Sequence, residues 1–231
     1  MKLLLFDVDL TLISTGGAGL RALDLACQQV LSIEGGMDGI SPSGKTDPLI
    51  VREILTKFRL PFSDDLVASI LSSYISFLRE EVESSTSYRV LPGIRELLDE
   101  LGPRSDVLLG LATGNVLEGA RIKLDRGKLN DYFLFGGFGS DAEDRVDVVR
   151  KGVEAGTTLS KNGIRPDDVY VIGDTPRDVA AGQASGYRTV AVATGSFSVQ
   201  ELQKTGANLV ITDFSTGRKQ FLSLTGARCV E

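Results

Sequence analysis

Two aspartates separated by one residue follow the first apolar run of the chain. Leu3 to Phe6 is apolar throughout, and Asp7 and Asp9 come directly after it. Side chains alternate along an extended segment, so the two carboxylates point the same way. Two like charges at this spacing repel unless a cation or a proton intervenes. The pair indicates metal binding, covalent catalysis or acid–base chemistry, with a solvated turn and capping aspartates as the alternative.

The apolar run before Asp7 is too short for a helix and is typical of a strand buried on both faces of a parallel sheet. Two further strands of this kind are predicted, and each ends in polar residues. They are Val107 to Ala112, before Thr113-Gly114-Asn115, and Val169 to Ile172, before Gly173-Asp174. The carboxyl ends of parallel strands share one edge, where ligands bind in open α/β sheets. We therefore predict that the three polar segments converge on one site.

Strands and helices alternate from Tyr88 onward, which predicts an α/β fold with a doubly wound parallel sheet. Weaker strands are predicted at Tyr132 to Phe135, Thr189 to Val192 and Leu209 to Ile211. By contrast, the segment 16–87 has helical periodicity and contains no convincing strand. We predict a catalytic α/β core made of 1–15 and 88–231, with 16–87 inserted as an all-helical cap.

Composition narrows the classes of partner. The chain has 231 residues, a net charge of -6 and a pI near 4.9. A protein surface that binds nucleic acid is basic, so this composition argues against such a surface. No apolar run approaches the length of about 20 residues that a membrane span needs. The apolar start is interrupted by Asp7 and Asp9, unlike a signal peptide. We expect a cytoplasmic monomer or homodimer that binds neither nucleic acid nor membrane.

The chain contains no histidine. This excludes zinc sites with His ligands and serine or cysteine nucleophiles that depend on His. The two cysteines, Cys27 and Cys229, have no metal-binding spacing and form no disulfide framework. Carboxylates are therefore the side-chain groups that we expect to carry out the chemistry.

Taken together, the polar segments resemble the motifs of the haloacid dehalogenase superfamily of aspartate-nucleophile hydrolases. Asp7-Val8-Asp9-Leu10-Thr11 is similar to its DxDxT motif, Thr113 to its Ser or Thr after the second strand, and Gly173–Asp178 to its GDxxxD motif. The resemblance covers essentially the whole chain, and the helical insert resembles the small helical cap of the superfamily. The cap type and Gly44-Lys45-Thr46-Asp47 are most similar to the phosphoglycolate phosphatase-like branch.

The resemblance implies that Asp7 is the nucleophile and forms an aspartyl-phosphate, while Asp9 protonates the leaving alkoxide and then deprotonates water. It also implies Mg²⁺, bound by the Asp7 carboxylate, the Asp9 main-chain carbonyl and Asp174. Asp178 is expected to hold the metal's waters or a basic residue, or else to cap the next helix. Dehalogenases of the superfamily lack the second aspartate, so Asp9 favours phosphate chemistry.

Two positions depart from the usual pattern. The superfamily usually places a Lys at the start of the helix before the last motif, where this chain has Arg145, with Lys151 as the nearby alternative. An Arg can bind phosphate with a bidentate fork, so Arg145 is preferred. Leu10 stands where Gly is commonest, and we expect its side chain to point away from the aspartate pair.

Five residues are candidates for substrate binding. Thr113, Gly114 and Asn115 offer a hydroxyl, an amide and main-chain N–H groups at a helix N-terminus, which suits a phosphate. Simple capping of that helix is the alternative for Thr113 and Asn115. In the cap, Lys45 and Thr46 are candidates for the non-phosphate end of the substrate, unless they belong to an ordinary loop.

These residues predict a Mg²⁺-dependent phosphomonoester hydrolase that acts on a small phosphorylated metabolite, with a phosphoglycolate-like ester as the branch-level expectation. A phosphosugar mutase of the β-phosphoglucomutase type is the main alternative. It shares Asp7, Asp9 and the metal, and differs in how the cap excludes water. A non-catalytic phosphate-binding module is a further alternative, disfavoured because Asp7 and Asp174 are both present.

Overall fold

The computed structural model describes residues 1–160 and 163–226, so Cys229 lies outside the described residues. The strands are β1 (Lys2–Phe6), β2 (Ile13–Ser14), β3 (Arg89–Val90), β4 (Val107–Ala112), β5 (Gly136–Gly137), β6 (Val169–Gly173), β7 (Arg188–Val192) and β8 (Leu209–Ile211). Six of them form one parallel sheet in the order β5-β4-β1-β6-β7-β8. The predicted α/β class with a parallel sheet is confirmed.

Strand β1 lies between β4 and β6, and its apolar side chains are buried on both sides of the sheet. Leu4 and Phe6 belong to one hydrophobic cluster, whereas Leu3 and Leu5 belong to another. Successive residues of a strand point to opposite faces, so a strand covered on both sides has no place for a polar residue. This explains the unbroken apolar run before the first aspartate.

Helices cover both faces of the sheet. The helices are α1 (Ala18–Leu31), α2 (Asp47–Lys57), α3 (Asp64–Ser84), α4 (Ile94–Leu101), α5 (Leu117–Arg126), α6 (Arg145–Leu159), α7 (Pro176–Ala184), α8 (Val199–Gln203) and α9 (Phe214–Thr225). The cluster around Phe6 includes residues of α4, α5 and α9, and the cluster around Leu5 includes residues of α6 and α7. The sheet is therefore doubly wound, as predicted.

The segment between the first two core strands contains α1, α2 and α3. These helices build their own hydrophobic cluster, with Ile54, Ile70 and Leu78 fully buried. Strands β2 and β3 form a short antiparallel ribbon where the chain leaves and re-enters the core. The inserted segment is helical as expected, while its status as a separate cap domain stays a prediction.

The strand predicted at Tyr132 to Phe135 is wrong in position. A 3-10 helix occupies Asn130–Tyr132, and the strand that pairs with β4 is the two-residue β5. A Cβ atom on Gly137 would lie 1.9 Å from the Val148 carbonyl oxygen, so β5 needs glycine to pack against α6. Glycine has low strand propensity, which explains why the sequence pattern favours the neighbouring aromatic residues.

None of the helices in the described part of the chain combines the length and the apolar character needed to cross a membrane.

Candidate active site

The site lies at the carboxyl ends of the three central strands. Asp7 follows β1, Thr113 follows β4 and Asp174 follows β6, and these strands are neighbours in the sheet. The main-chain N–H of Asp7 donates to the Ile172 carbonyl at 2.8 Å, which ties the first motif to the end of β6. The parallel sheet thus brings the predicted segments together at one edge.

Three buried carboxylates meet at this edge. Oxygen atoms of Asp7, Asp174 and Asp178 all lie within 4.8 Å of one another. Arg145 is the cation beside them, with Nη2 at 2.9 Å from Oδ1 of Asp7 and 2.5 Å from Oδ1 of Asp178. Three negative charges therefore face one positive charge in a buried setting.

This charge imbalance shifts the carboxyl pKa values. Burial raises the pKa of Asp7 to about 6; Arg145 opposes the shift, whereas the Asp178 carboxylate adds to it. Burial raises the pKa of Asp174 to about 9, and the carboxylates of Asp178 and Asp7 reinforce it. Asp174 forms no ion pair with any residue that the structure describes. The site therefore favours a bound cation, a proton, or both.

Asp178 already uses both of its carboxylate oxygens. Oδ1 accepts from Nε and Nη2 of Arg145, at 3.1 and 2.5 Å. Oδ2 accepts from the main-chain N–H and the hydroxyl of Thr175, at 3.1 and 2.6 Å, in a capping box at the start of α7. Asp178 thus contacts a basic residue and also caps a helix, as the two sequence expectations proposed.

The donor set fits a hard divalent cation. Asp7 and Asp174 present carboxylate oxygens close to one another, and carboxylate oxygens are the ligands that Mg²⁺ prefers. The Thr11 hydroxyl donates to Oδ1 of Asp174 at a long 3.4 Å. A Cβ atom on Gly195 would lie 1.9 Å from Oδ2 of Asp174, so the absence of a side chain there leaves room for that carboxylate.

The structure shows which of the two candidate basic residues lies at the site. Arg145 is the first residue of α6; it reaches Asp7 and Asp178, and Nη2 also donates to the Ala112 carbonyl at 3.0 Å. Burial lowers the pKa of Arg145, but Asp178 and Asp7 outweigh it and the net shift is upward. Lys151 lies at the surface and pairs with Glu154 at 3.0 Å. Of the two, Arg145 is the residue at the site.

Asp9 has a cationic partner that the sequence did not single out. The Lys123 ammonium lies 2.7 Å from Oδ2 of Asp9, and the Asn115 amide donates to the same oxygen at 2.8 Å. Lys123 also donates to Oδ1 of Asn115 at 2.5 Å, which closes the group.

Lys123 is buried on the inner face of α5 with 5% of its surface exposed. Burial lowers the pKa of its ammonium, but Asp9, Tyr74 and Asp47 outweigh burial and raise it. A signal for this residue exists in the sequence. Lys123 follows the buried Ala120 by three residues, so it shares the apolar face of the helix. A lysine on such a face needs a buried partner.

The Thr113 hydroxyl faces its own turn. Its Oγ1 accepts from the main-chain and side-chain amides of Asn115, at 3.3 and 2.8 Å, and Thr113 is fully buried. Neither Thr113 nor Asn115 caps α5. The Val116 N–H donates instead to Oδ2 of Asp47 in the insert, at 2.9 Å. The sequence alternative of simple capping is thus wrong for both residues.

The loop of the insert that contains Lys45, Thr46 and Asp47 contacts the core near the ends of its strands. The Asp47 N–H donates to the Gly114 carbonyl at 2.8 Å, and a Cβ atom on Gly114 would lie 2.0 Å from the Lys45 carbonyl oxygen. The Thr46 hydroxyl donates to the Glu143 carbonyl at 3.0 Å. Thr46 holds the loop and is not among the described residues that line the cavity, whereas Lys45 and Gly114 line it.

A cavity of about 250 Å³ joins the insert to the strand ends. Its core side presents Asp7, Asp9, Asn115, Lys123, Arg145 and Asp174. Leu10 also lines this cavity, while the expectation that its side chain points away from the aspartate pair stays a prediction. Leu10 adopts a left-handed backbone with φ of 58°, the conformation that favours glycine at this position.

Comparisons with known proteins agree with this geometry. The Hydrolase-like family, described as HAD-hydrolase-like, matches residues 151–216, which include Asp174 and Asp178. A comparison with curated proteins found no match. The resemblance to the haloacid dehalogenase superfamily is confirmed by this match and by the fold.

Solved structures share the fold over nearly the whole chain. A hydrolase from Pseudomonas syringae is 21% identical with a TM-score of 0.74, covering 96% of this chain and 99% of that one. A predicted phosphoglycolate phosphatase from Haemophilus somnus is 17% identical with a TM-score of 0.68, covering 96% and 98%. CbbY from Rhodobacter sphaeroides, solved in complex with phosphate, is 16% identical with a TM-score of 0.70, covering 94% and 96%.

Proposed function

We propose that the chain is a Mg²⁺-dependent phosphatase that hydrolyses phosphate monoesters of small metabolites through an aspartyl-phosphate on Asp7. The observation that carries the proposal is the separation of two carboxylates at one sheet edge. Asp7 is buried beside Arg145 and Asp174, whereas the more exposed Asp9 is bonded to Lys123. We assign nucleophilic attack to the first carboxylate and proton transfer to the second.

Asp7 attacks the phosphorus atom of the ester. The new Asp–O–P bond forms as the bond between phosphorus and the leaving alkoxide oxygen breaks. Arg145 holds Oδ1 of Asp7 at 2.9 Å, which leaves the other oxygen as the nucleophile. Asp178 and the Ala112 carbonyl fix the guanidinium in turn, so the nucleophile is oriented before the substrate arrives.

Asp9 moves the proton in both halves of the reaction. It first donates a proton to the departing alkoxide, and then accepts one from the water that attacks the aspartyl-phosphate. This second step releases inorganic phosphate and restores Asp7 and protonated Asp9. Lys123 and Asn115 both bind Oδ2 of Asp9, which leaves Oδ1 to carry the proton.

Asp7 and Asp174 would hold the Mg²⁺ ion, together with the main-chain carbonyl of Asp9 as the superfamily resemblance implies. When bound, the ion supplies the positive charge that allows a carboxylate to approach an anionic phosphate. Asp178 keeps Arg145 in place and is not proposed as a ligand, because both of its oxygens already accept hydrogen bonds. Cytoplasmic location and a monomeric or dimeric state stay predictions.

The cavity has about 250 Å³, enough for the phosphate ester of a small metabolite. A phosphoglycolate-like ester, expected from the resemblance, is small enough to fit. The volume of the cavity does not distinguish one small ester from another. The charge and polarity of the residues that line the cavity therefore determine which ester binds.

The test is phosphate release from a panel of small esters, in Mg²⁺ and in EDTA, with the wild type and Asp7→Asn. We expect metal-dependent turnover that Asp7→Asn abolishes. Asp168→Asn is the matched control, because Asp168 is also a buried aspartate but pairs with Lys2 and Arg165 away from the site. Turnover that persists in Asp7→Asn, or that needs no metal, would refute the mechanism.

A further inference from the structure

We propose that the site selects phosphate monoesters whose organic group is small, uncharged and mostly apolar, a proposal that rests on the phosphatase function above. The cavity has two chemically different ends. Its core side is charged, as described. Its insert side presents the apolar residues Leu20, Leu23, Met37, Pro42 and Ile50, together with Ser43, Lys45 and Asp47.

The apolar end is well ordered by packing. Leu23, Met37 and Ile50 are each less than 10% exposed and belong to the hydrophobic cluster of the insert. Apolar surface that meets an apolar group of a ligand gains from the release of water, whereas a charged group placed there loses its hydration. The insert side therefore suits an alkyl or similar neutral group.

The basic residues of the lining are already paired. Among the described residues that line the cavity, these are Lys45, Lys123 and Arg145. Lys45 lies 2.5 Å from Glu53 and Lys123 lies 2.7 Å from Asp9. Arg145 pairs with both Asp7 and Asp178.

A carboxylate on the substrate would need a new cationic partner in the cavity. Arg145 and Lys123 lie at the phosphate end, and the carboxylate of Asp47 also lines the cavity near Lys123. Lys45 is the basic residue of the insert side, and binding would require it to leave Glu53. An acid such as phosphoglycolate is therefore disfavoured, although its size fits.

The volume suits a small organic group. At roughly 30 Å³ per water molecule in the liquid, a 250 Å³ cavity corresponds to about eight water-sized groups. The phosphoryl group takes a large share of this space. A chain of about three to five carbon atoms is on the order of what the remainder holds.

The experiment compares butyl phosphate with 2-phosphoglycolate. Binding is measured by calorimetry with Asp7→Asn in Mg²⁺, so that affinities are obtained whether or not the wild type turns the esters over, and kcat/KM is measured with the wild type. We expect butyl phosphate to be favoured at least about tenfold in both measurements. Equal or tighter binding of 2-phosphoglycolate would overturn the proposal, and absent turnover with the expected affinities would overturn only the hydrolase function.

Glu53→Gln provides a second test, because it frees the Lys45 ammonium without changing the catalytic groups. We expect the preference for butyl phosphate over 2-phosphoglycolate to fall by about tenfold. Glu143→Gln is the matched control, since Glu143 pairs with Arg52 at 2.7 Å and neither residue lines the cavity. An unchanged preference in Glu53→Gln, or an equal change in the control, would contradict the role assigned to the Lys45–Glu53 pair.

Discussion

The Lys123 ammonium lies 2.7 Å from the Asp9 carboxylate, across 114 residues of sequence, and is almost fully buried there. The pair joins α5 to the end of the first motif. Asn115 bonds to both partners, so the carboxylate proposed to transfer protons is held from two directions. Removing one partner of a buried ion pair leaves the other charge uncompensated, which destabilises the protein. Substitution of Lys123 therefore tests this pair directly.

Replacing Lys123 with Met should reduce both stability and activity. The variant keeps most of the length of the side chain but leaves Asp9 and Asp47 close together without a cation. We expect a loss of about 3–5 kcal/mol in the free energy of unfolding, measured in urea. We also expect kcat to fall by about 10²-fold, because Asp9 is no longer oriented.

The matched control is Lys151→Met on the exposed surface of α6, where Lys151 pairs with Glu154. This change should alter the unfolding free energy by less than about 0.5 kcal/mol and leave kcat unchanged. A stable, fully active Lys123→Met would show that the pair does not position Asp9.

Arg145→Lys should be much less active than the wild type, although Lys is usual at this position in the superfamily. The guanidinium donates to Asp178 and to the Ala112 carbonyl and forms an ion pair with Asp7 at the same time, and an ammonium cannot reproduce this planar fork. We expect kcat/KM to fall by about tenfold in Arg145→Lys and by about 10³-fold in Arg145→Met. Steady-state kinetics with the best ester checks both values, and equal losses in the two variants would contradict the role given to the charge.

Gly195→Ala should weaken metal binding more than it affects the fold. The added methyl group would lie 1.9 Å from Oδ2 of Asp174, so the carboxylate must move. We expect the affinity for Mg²⁺ to fall by roughly ten- to a hundredfold, the range seen when groups supporting a ligand are altered. Calorimetric titration of the metal measures it.

Gly119→Ala is the comparison for this variant, because a Cβ atom there meets its neighbours at an ordinary 3.4 Å inside α5. It should keep the metal affinity and gain about 0.5–1 kcal/mol of stability from helix propensity. Unchanged Mg²⁺ affinity in Gly195→Ala would argue that Asp174 is not a ligand.

The metal-free protein should lose stability as the pH rises. The pKa of Asp174 is raised to about 9 and that of Asp7 to about 6, so between their unfolded values near 3.8 and these folded values the native state binds more protons. Stability then falls with increasing pH through this window. In EDTA, we expect the melting temperature to decline between about pH 5 and pH 9.

Mg²⁺ should reverse this decline, because a bound cation replaces the missing protons, and its stabilising effect should grow with pH. Asp174→Asn should flatten the pH dependence in EDTA, since the group with the larger upward shift is then absent. A melting temperature in EDTA that rises across the same range would contradict the electrostatic description of the site.

The sequence by itself determined which strands are central and where the chemistry lies. The apolar run Leu3 to Phe6 and the strand before Asp174 are local patterns, and the periodicity of a chain segment reports directly on its burial. Parallel pairing then requires that the strand ends share one edge. Asp7, Asp9 and Asp174 were therefore identifiable from the sequence, and the structure places them around one cavity, while their catalytic roles stay predictions.

Tertiary structure decided the partners of these residues. Lys123 reaches Asp9 from a distant helix, and Arg145 rather than Lys151 turns toward Asp7, because the packing of α5 and α6 on the sheet fixes which side chains reach inward. The short strand β5 and the apolar end of the cavity likewise depend on close contacts between separate elements. Sequence patterns report local burial, whereas distances between remote side chains arise only when the elements pack together.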